Sequence, residues 1–82
     1  MGKVVDVTAA MSGVFYRQPS PEEPPYVEVG TEVKKKQVLG LLETMKVFQK
    51  VKSPVSGKVV EIIAENEQPL KDGAVIFRVE KA

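Results

Sequence analysis

No cysteine and no histidine occur among the 82 residues, and these two absences remove much of enzyme chemistry. Without cysteine there is no disulfide staple and no thiolate metal site. Without histidine the chain lacks the commonest general base and the commonest metal ligand. A self-contained hydrolase or metalloenzyme is therefore not expected, and no catalytic or metal-binding residue is assigned. An excess of one charge is lacking too: 12 basic and 11 acidic side chains leave a net charge of +1. The basic run Lys34-Lys35-Lys36 has no interleaved aromatics and reads as a solvated turn face, not a nucleic-acid surface. No apolar stretch approaches the ~20 residues needed to cross a bilayer. The segment Met1-Gly2-Lys3-Val4-Val5-Asp6 has neither the apolar core nor the small-residue cleavage site of a leader, and Asp6 stands where myristoylation requires Ser or Thr. The expectation is a soluble intracellular domain with no nucleic-acid or membrane partner.

What the chain does have is strand signal. Short runs rich in β-branched and aromatic residues fall at 3–7, 14–17, 26–29, 38–43, 47–51, 58–63 and 75–80, separated by Gly, Pro, Ser and charged residues. Several short strands at close spacing predict an all-β sandwich or barrel, and a chain of this length holds one domain, 1–82. The stretch from Val38 to Met45 could pass for half a helix, but Gly30, Gly40 and the β-branched flanks favour a strand. A domain this small buries only about 60% of its unfolded surface, so a regular architecture is needed to stabilise it.

The chain also repeats itself. Val7-Thr-Ala-Ala-Met-Ser12-Gly13-Val-Phe15 resembles Val51-Lys-Ser-Pro-Val-Ser56-Gly57-Lys-Val59, 44 residues on. Further along, Val33, Leu39, Leu42 and Glu43 match Leu70, Ile76, Val79 and Glu80, 37 residues on. Each half would supply a Ser-Gly turn, a strand, a second turn and a closing strand ending in Glu. Packed face to face, two such halves would bury an apolar face that neither hides alone. The change of offset means that the first half holds seven extra residues. They fall within the eight-residue segment 18–25, where Pro19, Pro21, Pro24 and Pro25 account for four of the six prolines. Proline fixes φ and lacks a backbone donor, so this segment is expected to project from the sandwich as a stiff insertion.

Between the halves lies Glu43-Thr44-Met45-Lys46-Val47-Phe48. A pseudo-twofold makes this segment, 43–48, a tight hairpin with Lys46 at its tip and places the two chain termini together. A lysine side chain is ordinarily protonated at neutral pH, so an enzyme that acylates it must help remove the proton. Such a target should be exposed, fixed in geometry and flanked by readable side chains. Met45 is an apolar neighbour that a hairpin tip does not otherwise favour. Lys46 is one of ten lysines, and its position at the repeat junction beside Met45 singles it out.

These residues carry a resemblance. Glu43-Thr44-Met45-Lys46-Val47 is similar to the Glu-Ala-Met-Lys-Met of biotin carboxyl carrier proteins, and the likeness extends over nearly the whole chain. Gly13-Val14-Phe15-Tyr16-Arg17-Gln18-Pro19-Ser20-Pro21 resembles the stretch that begins the "thumb", a proline-containing protrusion, in the acetyl-CoA carboxylase branch of that family. Thr44 departs from the usual alanine and Val47 from the usual methionine. The resemblance implies a flattened barrel-sandwich of two pseudo-twofold-related four-stranded halves. Its cofactor is biotin, joined to Lys46 as an amide by biotin protein ligase. Carboxyl groups would then pass from a biotin carboxylase to a carboxyltransferase, with acetyl-CoA as the implied acceptor in fatty-acid synthesis. Within that scheme Glu43, Met45 and Val47 are the expected ligase-recognition residues, and Pro19, Ser20, Pro21, Pro24 and Pro25 the thumb. The domain carries and does not catalyse, and bacterial cytosol and plastid stroma suit it equally. In the family the Met-Lys pair occupies a tight turn in which non-glycine residues at positive φ bear some strain. Two alternatives remain. A lipoyl domain shares the fold and modifies a hairpin lysine, usually in Asp-Lys-Ala or Asp-Lys-Val, and Val47 fits that pattern. An unmodified structural sandwich would carry the hairpin incidentally.

Overall fold

The computed structural model describes residues 2–82; Met1, the first residue of the segment read for a leader, lies outside the described residues. Eight strands follow in order: β1 (Val4–Thr8), β2 (Gly13–Tyr16), β3 (Glu32–Val33), β4 (Val38–Thr44), β5 (Val47–Lys52), β6 (Gly57–Ile62), β7 (Gln68–Leu70) and β8 (Val75–Lys81). They form two four-stranded antiparallel sheets, ordered β1-β8-β6-β3 and β5-β4-β2-β7. Exchanging β1 with β5, β2 with β6, β3 with β7 and β4 with β8 turns one order into the other, so the pseudo-twofold interchanges the sheets. The halves do not form one sheet each. Every sheet takes two strands from each half, and the halves interlock where the sequence predicts face-to-face packing.

The repeat extends to single hydrogen bonds. In the first half Lys36 N donates to Ser53 O and Lys35 N to Ser56 Oγ; in the second, Gly73 N donates to Ala9 O and Asp72 N to Ser12 Oγ. Left-handed backbone recurs at matching places, Gly30 with Glu67 and Lys36 with Gly73. The core follows the same rule: Val7, Ala9, Phe15, Leu39 and Leu42 are buried, as are Val51, Ser53, Val59, Ile76 and Val79 at the equivalent positions. Two buried residues three apart are unusual in a strand, where side chains alternate. Here a bulge explains it. Pairing passes from Val38–Lys52 to Gly40–Val51, leaving Leu39 as the extra residue, and β8 does the same at Ile76 against Val7 and Thr8. That bulge is why 38–45 resembles half a helix in sequence.

At the centre, packing breaks the symmetry by exchange of volume. The Phe15 ring covers Gly40, where a Cβ would lie 2.5 Å from Phe15 Cε1. The matching pair is Val59 with Phe77, and the two phenylalanines meet edge to face at the centre with ring centroids 5.5 Å apart. The termini lie together, with Lys81 N bonded to Lys3 O across the β1–β8 ladder.

The strand expected at 26–29 does not form. Tyr26 N bonds Arg17 O, the Arg17 guanidinium donates to Val27 O, and Val27 enters the core from a loop with no ladder partner. Two strands absent from the sequence reading, β3 and β7, lie between the expected runs; they are two and three residues long, too short for alternation to register.

Candidate functional site

The β4–β5 hairpin turns in two residues. Thr44 pairs with Val47, and between them Met45 (φ 49°) and Lys46 (φ 66°) both have left-handed backbone. Positive φ at both central residues is the requirement of a type I′ turn, ordinarily met by Asn-Gly. A left-handed L-residue costs roughly 1–2 kcal/mol, so a Met-Lys pair here is held against a local preference. The cost is offset by the long β4–β5 ladder behind it, which runs from Val38–Lys52 to Thr44–Val47.

The turn projects its side chains outward. Met45 is 92% exposed, and Lys46 is exposed with no hydrogen bond or ion pair to another described residue. Val47 and Phe48, 57% and 56% exposed, continue an apolar collar that contributes nothing to the core. Glu43 lies at the foot of the turn, half-buried, opposite Phe48. Its Oε1 accepts a 2.9 Å hydrogen bond from the Tyr16 hydroxyl. The bond to Glu43, partial burial and the charges of Glu43 and Glu67 together push the Tyr16 phenol above its ordinary value. Tyr16 also leans on Phe48, with ring centroids 6.0 Å apart.

The proline-rich insertion leaves β2 and returns beside it. Its neck is closed by the Tyr26 N to Arg17 O bond, and Asn66 Oδ1 accepts from Arg17 N at 2.8 Å. Inside, the Gln18 amide donates to the carbonyls of Ser20, Pro21 and Glu23, which makes the loop a cross-braced unit. Pro19, Pro21 and Pro24 are exposed, while Ser20 and Pro25 are partly covered. Between this loop and the outer face of the β5-β4-β2-β7 sheet runs a groove of about 420 Å³, floored by Tyr16, Leu41 and Phe48 and walled by Pro19, Pro21 and Glu67. The insertion and the hairpin thus meet through a shared groove two residues from Lys46.

Tyr16 and Asn66 are site residues that the sequence did not single out, and Phe48 and Gln18 entered only as ends of the hairpin at 43–48 and the insertion at 18–25. Phe48 had a signal, being an aromatic two residues after Lys46. Tyr16 and Asn66 had none, because their partners lie 27 and 49 residues away. No group of three or more acidic, His or Cys side chains able to hold a metal occurs among the described residues, and no helix among them is long and apolar enough to cross a membrane.

The sandwich presents an exposed lysine on a strained hairpin at the junction of its two repeats. Residues 5–79 match the biotin/lipoyl family, described as "Biotin-requiring enzyme", and the chain belongs to that family. Among individual proteins, it is 42% identical over 74 residues to the biotin carboxyl carrier protein of acetyl-CoA carboxylase 1, chloroplastic, of Arabidopsis thaliana, covering 90% of this chain and 26% of that one. It is 35% identical over 77 residues to the biotin carboxyl carrier protein of acetyl-CoA carboxylase of Nostoc sp., covering 94% and 42%. Against the same protein of Chlamydia trachomatis the identity is 38% over 76 residues, covering 93% and 46%. The chain therefore spans between about a quarter and a half of the length of these relatives. Its fold is shared with part of the urea carboxylase of Kluyveromyces lactis, with a TM-score of 0.77 at 20% identity, covering 96% of this chain and 6% of that one.

Proposed function

We propose that this chain, residues 1–82 acting as one unit, is the biotinyl domain of a biotin carboxyl carrier protein of acetyl-CoA carboxylase, with Lys46 as the attachment point. The observation that carries the reading is Lys46 itself, exposed and unpaired on a two-residue turn fixed by two left-handed residues. The primary amine has no intramolecular bond to break before it enters another enzyme's active site. There, deprotonated by the ligase, the neutral Lys46 Nζ attacks the carbonyl carbon of the biotinyl-adenylate; the N–C bond forms, the acyl C–O bond to AMP breaks with AMP leaving as the anion, and the nitrogen gives up one proton to a base of the ligase to become the amide. Met45, Val47 and Glu43 supply the recognition surface around the amine. When attached, biotin supplies a ureido nitrogen able to carry a carboxyl group between a biotin carboxylase and a carboxyltransferase.

The domain performs no chemistry of its own in this scheme. It raises the local concentration of its cargo at two active sites by linkage. The loop at 18–25 acts as the thumb, forming one wall of the groove beside Phe48 and narrowing the swing of the arm. The partners are soluble enzymes of the bacterial cytosol or the plastid stroma, and the pathway is fatty-acid synthesis.

Intact mass after parallel incubation with a biotin ligase plus biotin and ATP, and with a lipoate ligase plus lipoate and ATP, tests the reading. The expected result is a single biotinyl increment that disappears in Lys46→Arg. A lipoyl increment alone would transfer the chain to the lipoyl side of the family, where Val47 after the lysine also fits. No increment from either enzyme would leave a structural sandwich.

A further inference from the structure

The internal repeat supplies a control for the outer faces of the two sheets. At the position of Tyr16 the second half carries Val60; opposite, Val4 stands in place of Phe48 and Glu80 in place of Glu43. Valines complete the β1-β8-β6-β3 sheet at those places, so the fold does not require a phenol at 16 or an aromatic ring at 48. On the sheet that bears the hairpin, by contrast, Tyr16 reaches diagonally across β4 to Glu43 Oε1 and packs its ring on Phe48. Glu43 and Phe48 face each other across the β4–β5 ladder, each two residues from the Met45-Lys46 turn. Glu43 Oε2 is left without a protein partner among the described residues.

We infer that Tyr16 is a positioning residue for the modification of Lys46, holding Glu43 and Phe48 as a rigid acid-and-aromatic platform that the modifying enzyme reads beside the amine. The inference rests on the carrier reading above. With one carboxylate oxygen tied to the phenol, the other is left without a protein partner among the described residues and is held ready to accept from a cationic side chain of the enzyme. Phe48, backed by the Tyr16 ring, offers an apolar face that needs no rearrangement. Ordering a free glutamate and a free phenylalanine at the moment of docking would otherwise cost rotamer entropy. Tyr16 touches neither the amine nor the reacting carboxyl, so its effect belongs to docking and not to the chemical step.

Steady-state biotinylation of the whole chain by a biotin protein ligase tests this. Tyr16→Phe keeps the ring and removes the bond; it is expected to raise KM about fivefold at constant kcat, the size of one net hydrogen bond. Glu43→Gln is expected to raise KM comparably or more, and the double variant to be no worse than Glu43→Gln alone, because Tyr16 acts through Glu43. Tyr16→Val, the residue that the second half uses, should fold normally and lose the support of Phe48 as well. A ligase-free readout accompanies these: the raised Tyr16 titration falls toward the ordinary value in Glu43→Gln, while Glu67 still acts on it. An unchanged KM in Tyr16→Phe, or effects of the two changes that simply add, overturns the inference and leaves the carrier reading intact. A wild-type chain that accepts no biotin overturns both, even if the tyrosine titration shows the bond to be present.

Discussion

Met45 and Lys46 each hold a left-handed backbone that favours neither, and Met45 gives the strain a measurable consequence. Met45→Gly removes the Cβ at φ 49° and is expected to stabilise the chain by about 1 kcal/mol, seen as a higher Tm. The same change takes away the most exposed apolar side chain of the hairpin, so biotinylation should slow while stability rises. Met45→Asp is expected to weaken biotinylation more than folding, and modification at the wild-type rate would count against Met45 as a recognition residue. Opposite movements of stability and modification are the signature of a residue kept for a partner. Much of this was legible from sequence, since the repeat junction isolates Lys46 from nine other lysines. The contact between Tyr16 and Glu43 was not, because nothing local marks two residues 27 apart as neighbours on adjacent strands.

At the scale of elements, the insertion at 18–25 is separable from the sandwich. Its entry and exit are already bridged by the Tyr26 N to Arg17 O bond at 2.9 Å, and its braces are internal to it. Replacing 18–25 by a two-residue Asn-Gly turn should therefore leave the far-UV circular dichroism and the biotinylation rate near wild type, while carboxyl-transfer kinetics change with the loss of one groove wall. Transfer rates equal to wild type in a normally biotinylated deletion variant would sink the thumb role. Proline density and repeat arithmetic located this element from sequence alone. They misjudged its return path: residues 26–29 have strand-like composition, but the neck consumes the Tyr26 donor, and the Arg17 guanidinium takes up the Val27 carbonyl. The bulges at Leu39 and Ile76 were hidden for a related reason, since a bulge gives a strand a spacing that alternation does not predict.

For the whole molecule, interlocking of the halves has a direct test. Four of the six ladders, β1–β8, β2–β7, β3–β6 and β4–β5, join one half to the other, and only β2–β4 and β6–β8 lie within a half. Fragments 1–45 and 46–82, made separately, are expected to be unfolded, and to regain strand signal and a cooperative melt when mixed. Either fragment folding alone would mean that its single ladder and half of the core suffice, contrary to the small-domain limit. The flattened shape, 39 × 28 × 19 Å, follows from two sheets meeting over a thin core centred on Phe15 and Phe77. Sequence by itself determined the all-β class, the twofold repeat, the projecting loop and the hairpin lysine, because each is written in local composition or in spacing along the chain. Tertiary structure alone decided which half supplies which strand to each sheet, how Phe15 fills the space over Gly40, and which side chains gather at the foot of the Lys46 turn. Those outcomes depend on contacts between residues far apart in sequence, which become neighbours only when the sheets close.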